Sequence, residues 1–144
     1  MFSNLPSMET GLLRYHGTVA AGFPSPAMDY MEERISLDRE LIRHPLSTFL
    51  VECSGDSMIN AFIPPKARLL VDRSLTAKNG DIVLAVLNGE FTVKYFKKND
   101  WRCWLVPANS KYREILVTEE MNLQIWGVVV HIIIDTKELK PCLL

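Results

Sequence analysis

Cysteine is scarce, with three among 144 residues, at Cys53, Cys103 and Cys142. An odd number without metal-ligand spacing argues against a disulfide framework or a zinc site. Reduced cytoplasmic thiols are the simplest account. Cys53 and Cys103 alternate into strand-like runs and are expected as buried thiols, and Cys142 is too close to the end for a prenylation box. An excess of charge is also missing: 16 Lys and Arg stand against 17 Asp and Glu, a net charge of −1. Without a strong basic field, tight direct binding to nucleic acid is not expected. Lys97-Lys98 and Lys111-Tyr112-Arg113 are small clusters suited to a solvated surface. Long apolar runs are absent too. The longest, Val128 to Ile134, is interrupted by His131 and cannot span a bilayer. Residues 1–20 lack the basic start and apolar stretch of a secretory signal. No membrane association, metal or cofactor is expected, and no internal repeat or phosphate loop is found.

Histidine, the usual base for an activated serine, occurs three times. His16 lies in a polar stretch, His44 precedes Pro45 at the end of a helical pattern, and His131 sits mid-strand as a core residue. None has a carboxylate partner in sequence, which leaves only spatial neighbours to supply one.

What the chain does have is apolar residue, 48% of the total, enough for one core. Residues 1–21 show no sustained period and read as an extended, mobile arm. Gly22 to Pro26 is punctuated by glycine and proline. Residues 27–43 carry a broken helical stripe through Met28, Met31, Ile35, Leu37, Leu41 and Ile42, with Ser36 as a candidate N-cap and His44-Pro45 as the stop. From Thr48 the pattern is β: Thr48 to Cys53, Ala67 to Asp72, a hairpin over 81–98, Trp101 to Pro107, Ile115 to Thr118, and Leu123 to Ile134. A short helical turn is expected over Ser57 to Phe62. Trp101, Trp104 and Trp126 are expected in the core or on a dimer face, since no basic groove makes them a base-stacking platform. The expected fold is mostly β, a compact domain of antiparallel sheets with a mobile N-terminal arm and one or two short helices. The divisions are 1–47 for the arm, 48–134 for the β domain, and 135–144 for a polar tail.

The chemistry concentrates between Ser54 and Lys98. Ser54-Gly55-Asp56-Ser57-Met58 reads as a glycine-assisted turn that exposes the Ser57 hydroxyl. Asn88-Gly89 between two apolar runs is a two-residue hairpin signal. It predicts Leu87 opposite Glu90 and Val83 opposite Lys94. Lys94 then shares a face with Val83, Ala85, Thr92 and Phe96. Stripping water from its ammonium favours the neutral amine, which can take a serine proton. For an isolated strand lysine, a head that snorkels to solvent is the commoner outcome. The upstream turn favours a Ser57–Lys94 dyad.

These residues, with VDRSLTAKNGDIVLAVLNGEFTVK, resemble the LexA/UmuD family of self-cleaving Ser-Lys peptidases. The likeness runs from about Gly22 to His131 and includes Gly22-Phe23-Pro24-Ser25-Pro26-Ala27 and Val106-Pro107-Ala108-Asn109-Ser110. Pro64-Pro65-Lys66 departs from the Gly-Asp turn often found in relatives. The chain before the turn is too short for a repressor's DNA-binding domain, which suits a UmuD-like arrangement. The resemblance implies catalytic Ser57 and Lys94, an oxyanion hole from the backbone N–H groups of Asp56 and Ser57, and a scissile Ala21-Gly22 bond. It implies a homodimer, cleavage promoted by a RecA filament on single-stranded DNA, and a processed form serving a UmuC-type translesion polymerase in SOS mutagenesis. The alternatives are a signal-peptidase-like enzyme acting in trans, which would need an anchor, and a non-catalytic interaction module.

Overall fold

The computed structural model describes residues 11–15, 17–23 and 31–139. His16, Pro24 to Pro26, Met28, Cys142 and the last part of the tail lie outside the described residues. The chain forms two units, residues 1–43 and 44–144. Among the described residues, no helix is long and apolar enough to cross a membrane.

The first unit differs from its sequence pattern. Leu12–Tyr15 (β1) and Met31–Ile35 (β2) pair antiparallel, with Leu12 opposite Ile35 and Arg14 opposite Glu33. Residues 31–35 are therefore strand where the spacing suggested helix, and part of the expected arm is a β-strand. Met31 and Ile35 fit either period, and the backbone bonds offered by β1 decide between them. Among the described residues the expected helix is present as Leu37–Leu41 (α1), with the Ser36 side chain accepting from the Arg39 N–H at its start. Arg14 and Glu40 form an ion pair within this unit.

The second unit is a seven-stranded antiparallel sheet, and the expected mostly-β class holds. Its strands are β3 (Thr48–Glu52), β4 (Arg68–Asp72), β5 (Ile82–Leu87), β6 (Glu90–Lys98), β7 (Cys103–Val106), β8 (Ile115–Leu116) and β9 (Gln124–Ile133). Their order is β3-β4-β9-β5-β6-β7-β8. The β5–β6 register is the predicted one, Leu87 opposite Glu90 and Val83 opposite Lys94. Asn88 and Gly89 both take positive φ (51° and 79°), as a tight hairpin turn of this kind requires. Lys66 also lies at positive φ (71°), a conformation that glycine adopts without strain.

Two apolar clusters hold the sheet. Met58, Ile63, Leu69, Val71 and Leu84 form one, and Val83, Ala85, Phe96, Leu105 and Val128 form the other. Trp101 is 88% exposed and so lies outside the core, the first of the two places expected for it. It sits in the turn after β6, where Asn99 Oδ1 accepts the N–H groups of Trp101 and Arg102 and strand pairing has ended. Trp104 is half-buried beneath Lys97, whose Nζ is 4.9 Å from the ring centroid. Cys53 and Cys103 are free but half-buried rather than buried.

β9 pairs with both β4 and β5, and its register slips in each ladder. Gly127 adjoins the Asp72–Val128 pair at the end of the β4–β9 ladder and lies against β4. A Cβ there would stand 2.6 Å from Val71 Cγ1 and 3.1 Å from the Asp72 carbonyl oxygen. Val71 is fully buried and has nowhere to retreat. Gly127→Ala should therefore cost about 1–3 kcal/mol of stability through overpacking. Denaturant titration would show this as a lower midpoint at unchanged slope.

Candidate active site

Ser57 sits in the turn after β3, held from several sides. Gly55 supplies a positive φ of 80°. Met58, only 2% exposed, sinks into the first apolar cluster and pins the residue after the serine. The Ser57 carbonyl accepts from the Ala108 N–H at 2.8 Å, and the Asn60 N–H donates back to the Ala108 carbonyl at 2.8 Å. Asn109 Nδ2 donates to the Asp56 carbonyl at 2.9 Å, and the Tyr112 hydroxyl donates to the Asp56 carboxylate. Among the described residues, the backbone N–H groups of Asp56 and Ser57 donate to no acceptor. The expected helical turn is a single 3-10 turn, Ile59–Ala61.

Lys94 comes from the middle of β6 and is 9% exposed. Its Nζ lies 2.9 Å from Ser57 Oγ. It also donates to Thr92 Oγ1 at 2.8 Å and to the Val93 carbonyl at 3.0 Å. Burial pushes the Lys94 pKa down from its usual value, opposed by the nearby Cys53. The Cys53 thiol is pushed up by burial, with Lys94 acting against the shift. A neutral amine has two N–H donors and one lone pair. Thr92 and the Val93 carbonyl can take the two donors, which leaves the lone pair for the Ser57 hydroxyl proton. The alternation of β6 already placed Thr92 on the face of Lys94, without assigning it this bond.

Both side chains open into a cleft of about 400 Å³ whose walls include Val51, Leu84, Phe91 and Trp126. Trp126 is the extra residue of a bulge in β9, opposite the Leu84/Ala85 step of β5. Bulges re-aim side chains, and they are frequent beside active sites. The Arg73 guanidinium lies 4.3 Å from the Trp126 ring centroid, and its Nε donates to the Trp126 carbonyl at 3.1 Å. Phe49 and Phe91 meet the same ring edge-on, at 5.1 and 6.1 Å. Ala21 and Gly22 belong to the first unit, in the exposed stretch 17–23 between β1 and β2.

His44 does find a carboxylate in space. Its Nδ1 is paired with Asp72 Oδ2, while Ser47 Oγ, Ser74 Oγ and the Ser74 N–H donate to Asp72 Oδ1. The residue types resemble a serine triad, but the wiring does not. Both hydroxyls donate to the carboxylate, so neither is activated by the histidine. Burial alone would push the Asp72 carboxyl up, but the bonds from Ser74, His44 and Ser47 outweigh it and hold it well below the usual carboxylate range. His131 is half-buried in β9.

Comparison with known proteins identifies the family. The family profile described as Peptidase S24-like matches residues 14–130. "Protein MucA" of Salmonella typhimurium is 38% identical over 122 residues, covering 84% of this chain and 83% of that protein. "Protein SamA" of Salmonella typhimurium is 42% identical over 117 residues, 81% of each chain. The "LexA repressor" of Arthrobacter sp. is 40% identical over 108 residues, which cover 75% of this chain but only 43% of the repressor. With the β fold, the serine turn and a profile match over most of its length, the chain belongs to the peptidase S24-like family as a UmuD-type member of the LexA/UmuD group.

Proposed function

We propose that the chain is a self-processing serine peptidase that removes its own N-terminal segment at Ala21-Gly22. The observation that carries this reading is the 2.9 Å approach of Lys94 Nζ to Ser57 Oγ, with the amine desolvated toward its neutral form. Neutral Lys94 accepts the Ser57 proton, and Ser57 Oγ attacks the Ala21 carbonyl carbon. The Asp56 and Ser57 N–H groups are the donors available to the oxyanion. Lys94 returns the proton to the departing Gly22 amine, and water then hydrolyses the acyl-enzyme.

The kinship with "Protein MucA" and "Protein SamA" supports a role in the bacterial SOS response. In this reading the chain works as a homodimer in the cytoplasm, a RecA filament on single-stranded DNA promotes the cut, and residues 22–144 then serve a UmuC-type translesion polymerase. The filament need supply no chemical group. It acts by favouring the state in which the arm occupies the cleft.

The cut site is tested by substitution. Ala21→Asp or Gly22→Glu would bring a charge against the apolar walls of the cleft, Val51, Leu84, Phe91 and Trp126, and should reduce processing at least about a hundredfold. N-terminal sequencing of the wild-type product should begin at Gly22. A product beginning elsewhere, or normal processing of both variants, would refute the assignment.

A further inference from the structure

Ser57 lies in a turn with little of its own to hold it. Ser54 and Gly55 are exposed, Gly55 takes a positive φ, and the N–H groups of Asp56 and Ser57 make no bond among the described residues. Besides the buried Met58 and a 3.2 Å bond from the Ile59 N–H to the Asp56 carbonyl, what holds it is the loop after β7. The Ala108 N–H holds the Ser57 carbonyl, Asn109 Nδ2 holds the Asp56 carbonyl at 2.9 Å, and the Tyr112 hydroxyl holds the Asp56 carboxylate. The loop is itself ordered: Asn109 Oδ1 accepts from the Lys111 N–H at 3.0 Å, and the Tyr112 N–H donates to the Asn109 carbonyl at 3.1 Å. Asp56, the residue immediately before the serine, is thus gripped at both its carbonyl and its side chain.

We propose that Tyr112 is a positioning residue for the nucleophile, acting through Asp56 to fix the turn that carries Ser57. It does not touch the reacting atoms. The inference rests on the self-processing reading and deepens it by naming the group that sets the geometry of the dyad. The bond is charge-assisted, phenol to carboxylate, but Tyr112 is 46% exposed, so it orders the turn while adding little to overall stability. Burial of Met58 holds the turn from below, and the Tyr112–Asp56 bond holds it from the side. Without that bond the turn gains freedom at the residue preceding Ser57, and the Oγ–Nζ distance is no longer held near 2.9 Å. A displacement of about 1 Å at a reacting centre can cost on the order of a hundredfold in rate.

The test uses the full chain and two readouts. One is the first-order rate of self-processing. The other is labelling of Ser57 by a fluorophosphonate, in which an Oγ–P bond forms, fluoride leaves and Lys94 takes the proton, with no arm required in the cleft. Tyr112→Phe keeps the ring and removes only the hydroxyl, and it should slow both about tenfold with the melting temperature unchanged. Asp56→Ala should match it. Asp56→Asn, which keeps an acceptor oxygen, should recover most of the rate. The Tyr112→Phe/Asp56→Ala double variant should be no slower than the slower single, since both remove one bond. Wild-type rates for Tyr112→Phe in both readouts, losses that multiply in the double variant, or no recovery in Asp56→Asn would overturn the proposal. Failure of the self-processing reading looks different: the wild-type chain would label at Ser57 yet not cut itself, and labelling alone would then decide the role of Tyr112. A wild-type chain that neither cuts nor labels would overturn both.

Discussion

Ser57→Ala and Lys94→Ala should each reduce self-processing by at least about a thousandfold while leaving the sheet folded. The two groups act as a unit: without the amine the hydroxyl keeps its proton, and without the hydroxyl the amine has nothing to activate. The double variant should be no slower than either single, as for other catalytic groups that depend on one another. Lys94→Arg should fail as completely, because a guanidinium stays protonated and has no lone pair to offer. The fold should survive. Lys94 packs beside an open cleft, so water can reach Thr92 Oγ1 and the Val93 carbonyl once the amine is gone. Electrophoresis reads the cleavage and circular dichroism the fold. Normal processing by a folded Lys94→Ala chain would remove lysine from the mechanism.

The pH dependence should be equally large. Only the neutral amine can accept the serine proton, so below the Lys94 pKa the rate should rise about tenfold per pH unit. It should level off below the ordinary lysine value of about 10.4, because burial lowers the folded-state pKa. The sign for stability runs the same way. With the folded pKa below the unfolded one, the unfolded chain binds more protons between the two values. The Lys94 contribution to stability therefore rises with pH across that window. The Lys94 titration thus does not itself favour unfolding as the rate rises. First-order rates from about pH 6 to 11, with folding monitored throughout, give the profile. A flat profile, or a rate that falls while the fold persists, would exclude lysine as the base.

The dyad's geometry was legible because it depends on local rules. Asn88-Gly89 sets the turn, the turn sets the register, and strand alternation then puts Lys94 on the face of Val83 and Phe96. The Ser57 turn was legible through Gly55, whereas the burial of Met58 that pins it was not. What joins distant segments was not. Tyr112 reaches Asp56 across 56 positions, and His44 reaches Asp72 across 28, without a periodicity that would announce either. Met31–Ile35 was misread for a related reason. Its apolar ends suit helix and strand alike, and the choice was made by Leu12–Tyr15, a partner whose own pattern is weak. The Trp101 exposure follows from where the β6–β7 pairing ends, which hydrophobicity alone does not encode.

The pairing of β1 with β2 has a consequence for what processing does. A cut at Ala21-Gly22 falls in the connection between these two strands. While the chain is whole, the tether keeps Leu12–Tyr15 near Met31–Ile35 at an effective concentration in the millimolar range. After the cut the two strands are separate molecules, and a pair this short does not persist at cellular dilution. Hydrolysis of one peptide bond thereby turns an intramolecular equilibrium into a bimolecular one. The Arg14–Glu40 ion pair is lost with it, and the backbone N–H and C=O groups that β2 had given to β1 become available. The change is a ratchet: no step of the proposed chemistry rejoins the strands, so one turnover alters the first unit for the lifetime of the molecule.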